Sequence, residues 1–394
     1  MTEICVEQAR IFRLRGHHLD CFYGIEDAEA LAGACGIQNS SPGSWETSLF
    51  NRVSECRLED LEELLYMKRR LLQAWSFRGA PFIFPASESD VFLSELLPQE
   101  DEPWIYTQGI GLALDYLGIP FEELLGLLLR VIPGLDGCVI VSKTSLDQTL
   151  AEWMLPLLPA CKQELWNHPS MYGNPDKQTV GGAVVSFLLR PCSFHGLVVF
   201  GKRSGISPSF TSYKNWSGHT LQSNGDAAKK LVRKFLHCYG PATLDSFVSW
   251  LGCSRTQGKR LWDSVKEEIE PVKIAEKKAF ILSEDKEQLI NPLPLERELL
   301  LLGAHDPFLD QRDRSILLPD KSLHKNIWKY VSNPGVIVYR GEIIGIWTSR
   351  KKGSAMEIKI TQWSPLPCRT ILQQEAEKYA NFRQLKLTSL DDND

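Results

Sequence analysis

Residues 223–285 constrain the fold more than any other stretch. Ala228, Leu231, Val232, Phe235, Leu236 and Tyr239 fall on one face at helical spacing, and Gly240-Pro241 stops the run. Thr243 stands where a short helix over 244–251 needs a side-chain cap, and Gly252 closes that helix in the slot that favours a left-handed residue. Ser254-Arg255-Thr256-Gln257 has the form of a capping box opening a helix that reaches Val265. Two short apolar runs, 271–274 and 279–282, flank Glu276-Lys277-Lys278 as a hairpin with a charged tip. A helix, a turn-linked helix pair and a hairpin, in that order, predict a winged helix-turn-helix. Residues 223–283 are also basic, with 11 Lys/Arg against 7 Asp/Glu, whereas residues 1–105 hold 9 against 18. The net charge of −5 therefore hides a positive patch, and phosphate responds to the patch rather than to the total.

At 394 residues the chain exceeds one ordinary domain, and 43% hydrophobic with 24% charged residues is a globular composition, not that of a rod or a disordered chain. No apolar run approaches the roughly 18–20 residues of a membrane span. The start, with Glu3, Glu7, Arg10 and Arg13, lacks a signal-peptide core. A cytoplasmic protein without membrane contact is expected. The ten cysteines are scattered, without C-x-x-C or zinc-type spacing, so buried free thiols are expected, and neither a metal nor another cofactor.

Leu61, Leu64, Leu65, Leu71, Leu72 and Trp75 predict one helix over 58–75, with Lys68, Arg69 and Arg70 near its end. Residues 82–84 read as a strand and 98–103 as a linker. In 104–222, helices are predicted over 110–117, 121–131 and, from a capping box at Ser145, 145–155, followed by strands over 183–189 and 197–201. Beyond 285 the pattern is β-rich: 336–339 and 342–347 around Arg340-Gly341, then 356–360, a closing helix over 370–382 and a frayed acidic end, 391–394. The reading is α+β with units at 1–103, 104–222, 223–285 and 286–394.

Several short motifs follow one another along the chain. They are Gly36-Ile37-Gln38 with Ser41-Pro42, Leu49 and Arg52; Arg78-Gly79 after Trp75; and Val232-Arg233-Lys234-Phe235-Leu236 leading into Tyr239-Gly240-Pro241-Ala242-Thr243. Trp250-x-Gly252, His305-Asp306-Pro307-Phe308 with Arg312-Asp313-Arg314, and Gly341-x3-Gly345-x-Trp347 follow. Together they resemble the winged-helix DNA-glycosylase family named for AlkZ, whose members remove alkylated bases and unhook interstrand crosslinks. The resemblance spans about Arg13 to Phe382. It implies three tandem winged-helix domains and a small C-terminal β-barrel, C-shaped around a concave cleft for double-stranded DNA that is alkylated or crosslinked. A monomer is expected.

The family's catalytic motif is Gln-x-Gln, or Gln-x-Asp in a sister branch. Here Gln38-Asn39-Ser40 occupies that place, so the resemblance implies catalysis by Gln38 with Asn39 and Ser40 beside it, and Ser40 departs from the pattern. A purine alkylated at N7 is already cationic and leaves readily, so the site must place a water against the developing cationic sugar more than generate a strong base. Amides can hold that water and a carboxylate can also take its proton, whereas a serine hydroxyl is shorter and is not a base at neutral pH. Two functions fit: a monofunctional N-glycosylase using Gln38, and a non-catalytic DNA-binding protein or regulator, toward which Ser40 points. Turn chemistry beside Ser41-Pro42 accounts for Asn39 and Ser40 equally well.

Phosphate contact is expected of Arg233, Lys234, Arg255, Lys259 and Arg260 around the helix pair, and of Lys277 and Lys278 at the hairpin tip. Arg78 suits a phosphate contact or a helix-end ion pair. His17-His18 with Asp20 and Cys21 suggests a metal, but adjacent helical side chains diverge and packing is the simpler reading. His305-Asp306 reads as a cap or an ion pair with Arg312 or Arg314. Motifs for nucleotide hydrolysis, dinucleotide redox chemistry and α/β-hydrolase chemistry do not occur.

Overall fold

The segment with the clearest pattern folds as the pattern dictates. The computed structural model describes residues 1–104, 108–173, 175–329, 332–366 and 368–392. Helices Ala227–Tyr239, Leu244–Leu251 and Arg255–Asp263 lead into the hairpin Ile269–Ile274 and Lys277–Leu282. The Thr243 hydroxyl accepts the Ser246 N–H at 3.1 Å, the Ser254 hydroxyl accepts the Gln257 N–H at 3.1 Å, and Gly252 sits at φ 73°. The capping box at Ser254 is half-formed, because the Gln257 amide donates instead to the Leu96 carbonyl at 3.0 Å. That bond ties the helix pair to the first segment.

Four sheets lie among the described residues. Ile37–Gln38, Pro81–Pro85 and Leu71–Trp75 form an antiparallel sheet with Pro81–Pro85 in the middle. A second sheet orders Ile140–Val141, Ser207–Thr211 and Val199–Ser204. In the third, Thr2–Ile4 joins the 269–282 hairpin as a parallel strand. The fourth has five strands: Leu299–Leu302, Gly335–Tyr339, Glu342–Lys352 and Ala355–Gln362 run antiparallel, and Lys386–Asp392 adds in parallel after helix Arg369–Phe382. The architecture is thus α+β. No helix among the described residues is long and apolar enough to cross a membrane.

Several local expectations fail for identifiable reasons. The helix expected over 58–75 stops at Met67; Arg69 takes φ 53° and Leu71–Trp75 is a strand. All five strand residues are buried, and a run buried on both faces carries no period that separates strand from helix. The same ambiguity explains 183–189, which lies inside the helix Val180–Phe194 rather than in a strand, so the second hairpin is 199–204 with 207–211. The third helix of that segment is capped three residues earlier than expected: the Ser142 hydroxyl accepts the Ser145 N–H at 3.1 Å, and the helix runs Lys143–Met154. Asp391 and Asp392 belong to the closing strand instead of a frayed end, while 393 and 394 lie outside the described residues.

The segments are sewn together by burial. One core joins Leu72, Phe84 and Phe92 of the first to Phe194 and Tyr213 of the second and Phe235 and Trp250 of the third. Helix Val6–Gly16 packs so closely on Ala227–Tyr239 that a Cβ on Gly16 would stand 2.3 Å from the His237 carbonyl oxygen. The beginning of the chain therefore lies with the 223–285 hairpin in space. The 98–103 stretch is likewise no free linker, since Glu102 is buried and accepts a forked pair of bonds from Arg260 at 2.8 and 2.9 Å.

Candidate functional site

Gln38 is the last residue of the edge strand Ile37–Gln38, opposite Phe82. Its backbone carbonyl accepts the Ser44 hydroxyl at 2.9 Å. Asn39 turns inward: it is 3% exposed, its N–H donates to the Pro81 carbonyl at 2.8 Å, and its side-chain oxygen accepts the Gly43 N–H at 2.9 Å. This is the turn-forming role of an asparagine. Ser40 is exposed.

The Gln38 side chain looks into a cavity of about 260 Å³ walled on the other side by residues 304–314 and Trp328. Arg78 bridges the walls. Its backbone is left-handed, at φ 56°, and a Cβ on Gly252 would stand 2.5 Å from Arg78 Cγ, so Gly252 serves both its own φ and the space for this arginine. One guanidinium nitrogen donates to the Trp250 carbonyl; the other donates to Gln38 Oε1 at 3.2 Å and to Asp310 Oδ2 at 2.7 Å. With a donor at Oε1 the amide orientation is set, and Nε2 donates to Ser40 Oγ at 2.6 Å. A polarised chain thus runs Arg78, Gln38, Ser40, leaving the Ser40 O–H and a lone pair for an incoming group.

The opposite wall is ionic. Arg52 donates to both Asp306 oxygens at 2.8 and 2.9 Å, with both side chains almost fully buried. Burial opposes the charge on Arg52, but Asp306 more than offsets it, so the guanidinium is held above its ordinary pKa. Asp306 also caps the Phe308 N–H at 3.0 Å. The cap expected of Asp306 is present, but the ion pair differs from expectation. Arg312 is occupied by Asp310 at 3.0 Å and Arg314 lies over the Trp328 ring at 4.6 Å, so the partner is the sequence-distant Arg52. His305, also on this wall, is held below the ordinary histidine pKa chiefly by burial, with Arg78 acting the same way and Asp310 opposing. Asp310 itself escaped the sequence reading, although it stands between the motif residues Phe308 and Arg312.

The basic residues expected at phosphate divide into two groups. Arg233 makes a forked pair with Glu268 at 2.6 and 2.7 Å, and Lys234 meets Glu88 at 2.9 Å. Arg260 holds the buried Glu102, while Arg255 pairs with Asp245 and Lys259 with Asp263 at 2.5 Å. The Arg255 and Lys259 side chains remain 69% and 65% exposed, and such surface pairs are weak enough to exchange for phosphate. Lys277 and Lys278 are exposed and have no acidic partner among the described residues. His17 and His18 diverge: His17 enters the core, while His18 sits edge-on to Tyr23 at 5.2 Å with its pKa pushed down to about 4, mainly by burial.

An α+β chain with a glutamine-bearing edge strand facing an arginine-rich cavity is the class that fold and site define. The chain belongs to the AlkZ-like DNA glycosylase family, whose model matches residues 31–382. It is similar to an interstrand DNA cross-link repair glycosylase of Streptomyces sahachiroi, at 24% identity over 290 residues that cover 70% of each protein. The solved structure of Streptomyces sahachiroi DNA glycosylase AlkZ has the same fold, with a TM-score of 0.76 at 18% identity over 100% of both chains.

Proposed function

We propose that this protein is an N-glycosylase that excises N7-alkylated or crosslinked purines from double-stranded DNA, with Gln38 as the residue that positions the attacking water. The observation that carries the reading is the Arg78–Gln38–Ser40 chain opening into the cavity. An N7-alkylpurine departs as a neutral base, so the demand falls on placing water against the sugar. Gln38 and Ser40 supply hydrogen bonds but no base. Asp310 supplies the missing acceptor: it hangs on the same Arg78 nitrogen as Gln38 and stays 24% exposed, whereas Asp306 is consumed by Arg52. Arg78 and Arg312 hold the Asp310 side chain in place on the cavity wall.

In the same reading, the three small sheets with their helices are three winged-helix modules, at 1–103, 104–222 and 223–285, with Thr2–Ile4 lent to the third. The 286–394 unit is the β-barrel-like part, and all four curve around one DNA cleft onto which the Gln38 cavity opens. Lys277 and Lys278 at a wing tip, with exposed Arg255 and Lys259, meet the phosphates of a duplex bound by a monomer. A second reading, a DNA-binding protein without catalysis, is favoured by one observation: both polar ends of the Gln38 amide already have protein partners.

The test is single-turnover incubation with a duplex carrying N7-methylguanine, followed by heating to reveal abasic sites. Base release by the native protein, reduced about 100- to 1,000-fold in Gln38→Ala with DNA affinity retained, is the expected outcome. A folded protein that binds this duplex and releases no base would establish the second reading instead.

A further inference from the structure

Three side chains far apart in sequence meet beside the cavity. His17 follows helix Val6–Gly16, Cys35 follows helix Ala28–Gly33, and Cys238 is in the last turn of Ala227–Tyr239. All three are buried, at 1%, 3% and 0% exposure. Their donor atoms all lie within 4.8 Å of one another, and His17 Nδ1 stands 3.7 Å from Cys35 Sγ.

We infer that His17, Cys35 and Cys238 form a binding site for a thiophilic divalent ion of the zinc class. Zinc–sulfur and zinc–nitrogen bond lengths in a tetrahedron give ligand edges of about 3.6 to 3.8 Å, so the cluster needs little movement to close on an ion. Two sulfurs and an imidazole, with no carboxylate, select zinc-like ions over magnesium or calcium. Two thiolates also neutralise a divalent charge, which a buried site requires.

The protein's own contacts gather the three side chains. His17 is held by ring contacts to Tyr239 at 4.8 Å and Phe308 at 5.7 Å, which turn its Nδ1 toward Cys35 Sγ. The Cys238 thiol is shared between the Gly16 and Ala34 carbonyls at 3.3 and 3.4 Å, and a bound ion displaces the protons of Cys35 and Cys238 to the solvent. The Tyr239 hydroxyl, 3.6 Å from Cys35 Sγ and donating to the Pro307 carbonyl at 2.9 Å, is a side-chain oxygen beside the cluster for a fourth position. Cys35 and Tyr239 line the cavity, which gives the ion an entry path. Because the ligands come from the C-terminal ends of three separate helices, no sequence spacing announces them.

Full-length protein kept reduced is titrated with Co²⁺, and separately loaded with Zn²⁺ and passed through gel filtration before metal analysis. Stoichiometric zinc and a thiolate-to-cobalt charge-transfer band are expected, with the band lost in Cys35→Ser and in Cys238→Ser. Cys192→Ser, a buried thiol in the second segment, should keep both signals. If either ligand variant fails to fold, His17→Gln, which removes the nitrogen donor and spares both thiols, should still lower zinc retention at least tenfold. Failure of the native protein to retain zinc, or a band that survives in a folded Cys35→Ser or Cys238→Ser, would overturn the site. So would a Cys35–Cys238 disulfide that persists under reducing conditions.

Discussion

The two walls of the cavity are built by opposite means. The Gln38 wall is the end of a two-residue strand whose functional atoms hang on single hydrogen bonds, at 3.2 Å to Arg78 and 2.6 Å to Ser40. The 304–314 wall rests on a forked Arg52–Asp306 pair with both partners buried. Charge locked away from water holds shape, and lightly bonded amide and hydroxyl groups remain available to a substrate. A change in the Arg52–Asp306 pair should therefore register as stability, and a change at Gln38 or Ser40 as rate.

The largest effect is expected at Arg52. Arg52→Leu leaves the Asp306 carboxylate buried without a counter-charge, a situation that costs about 3–5 kcal/mol. Urea denaturation of the variant measures it directly. A loss below about 1 kcal/mol would mean that the site accommodates Asp306 without its partner at little cost, and the contrast between the walls would collapse.

Ser40→Gln tests the other wall. It restores a second amide at the position where the family carries glutamine or aspartate, and one well-placed polar group at a reacting centre is worth on the order of 10- to 1,000-fold in rate. Faster single-turnover release of N7-methylguanine, with a midpoint of denaturation close to that of the native protein, is the expected result. A folded Ser40→Gln protein that binds alkylated DNA and still releases nothing sinks the catalytic role of Gln38.

The same contrast explains what could be read in the sequence. The helix pair and hairpin of 223–285 were legible because local signals agree there: Thr243, Gly252 and Ser254 each act on neighbours within a few residues. Leu71–Trp75 and Val180–Phe194 were not, because burial from both sides erases the period. Gln38 was found through a motif, and the structure sets it on the cavity wall. Arg52–Asp306, Arg260–Glu102 and the His17, Cys35 and Cys238 cluster join residues that only the tertiary fold brings together. Counting cations likewise located the basic segment but could not say which of them were already paired.

That last distinction gives the smallest and most selective effect. Arg233, Lys234 and Arg260 are engaged by partly or wholly buried carboxylates, whereas Lys277 and Lys278 project from a hairpin tip with no acidic partner among the described residues. If the wing tip touches phosphate, Lys277→Glu with Lys278→Glu should weaken duplex binding regardless of sequence. It should also flatten the salt dependence, each lost contact taking roughly 0.9 from the slope of log affinity against log salt. Neither lysine approaches the cavity, so the single-turnover rate at saturating protein should match that of the native protein. Fluorescence anisotropy across a salt series reads the first effect and abasic-site formation the second. An unchanged slope would remove the wing tip from the interface. An unchanged affinity with a slower rate would place the two lysines in the chemistry, and binding and catalysis would no longer be divided between separate parts of the molecule.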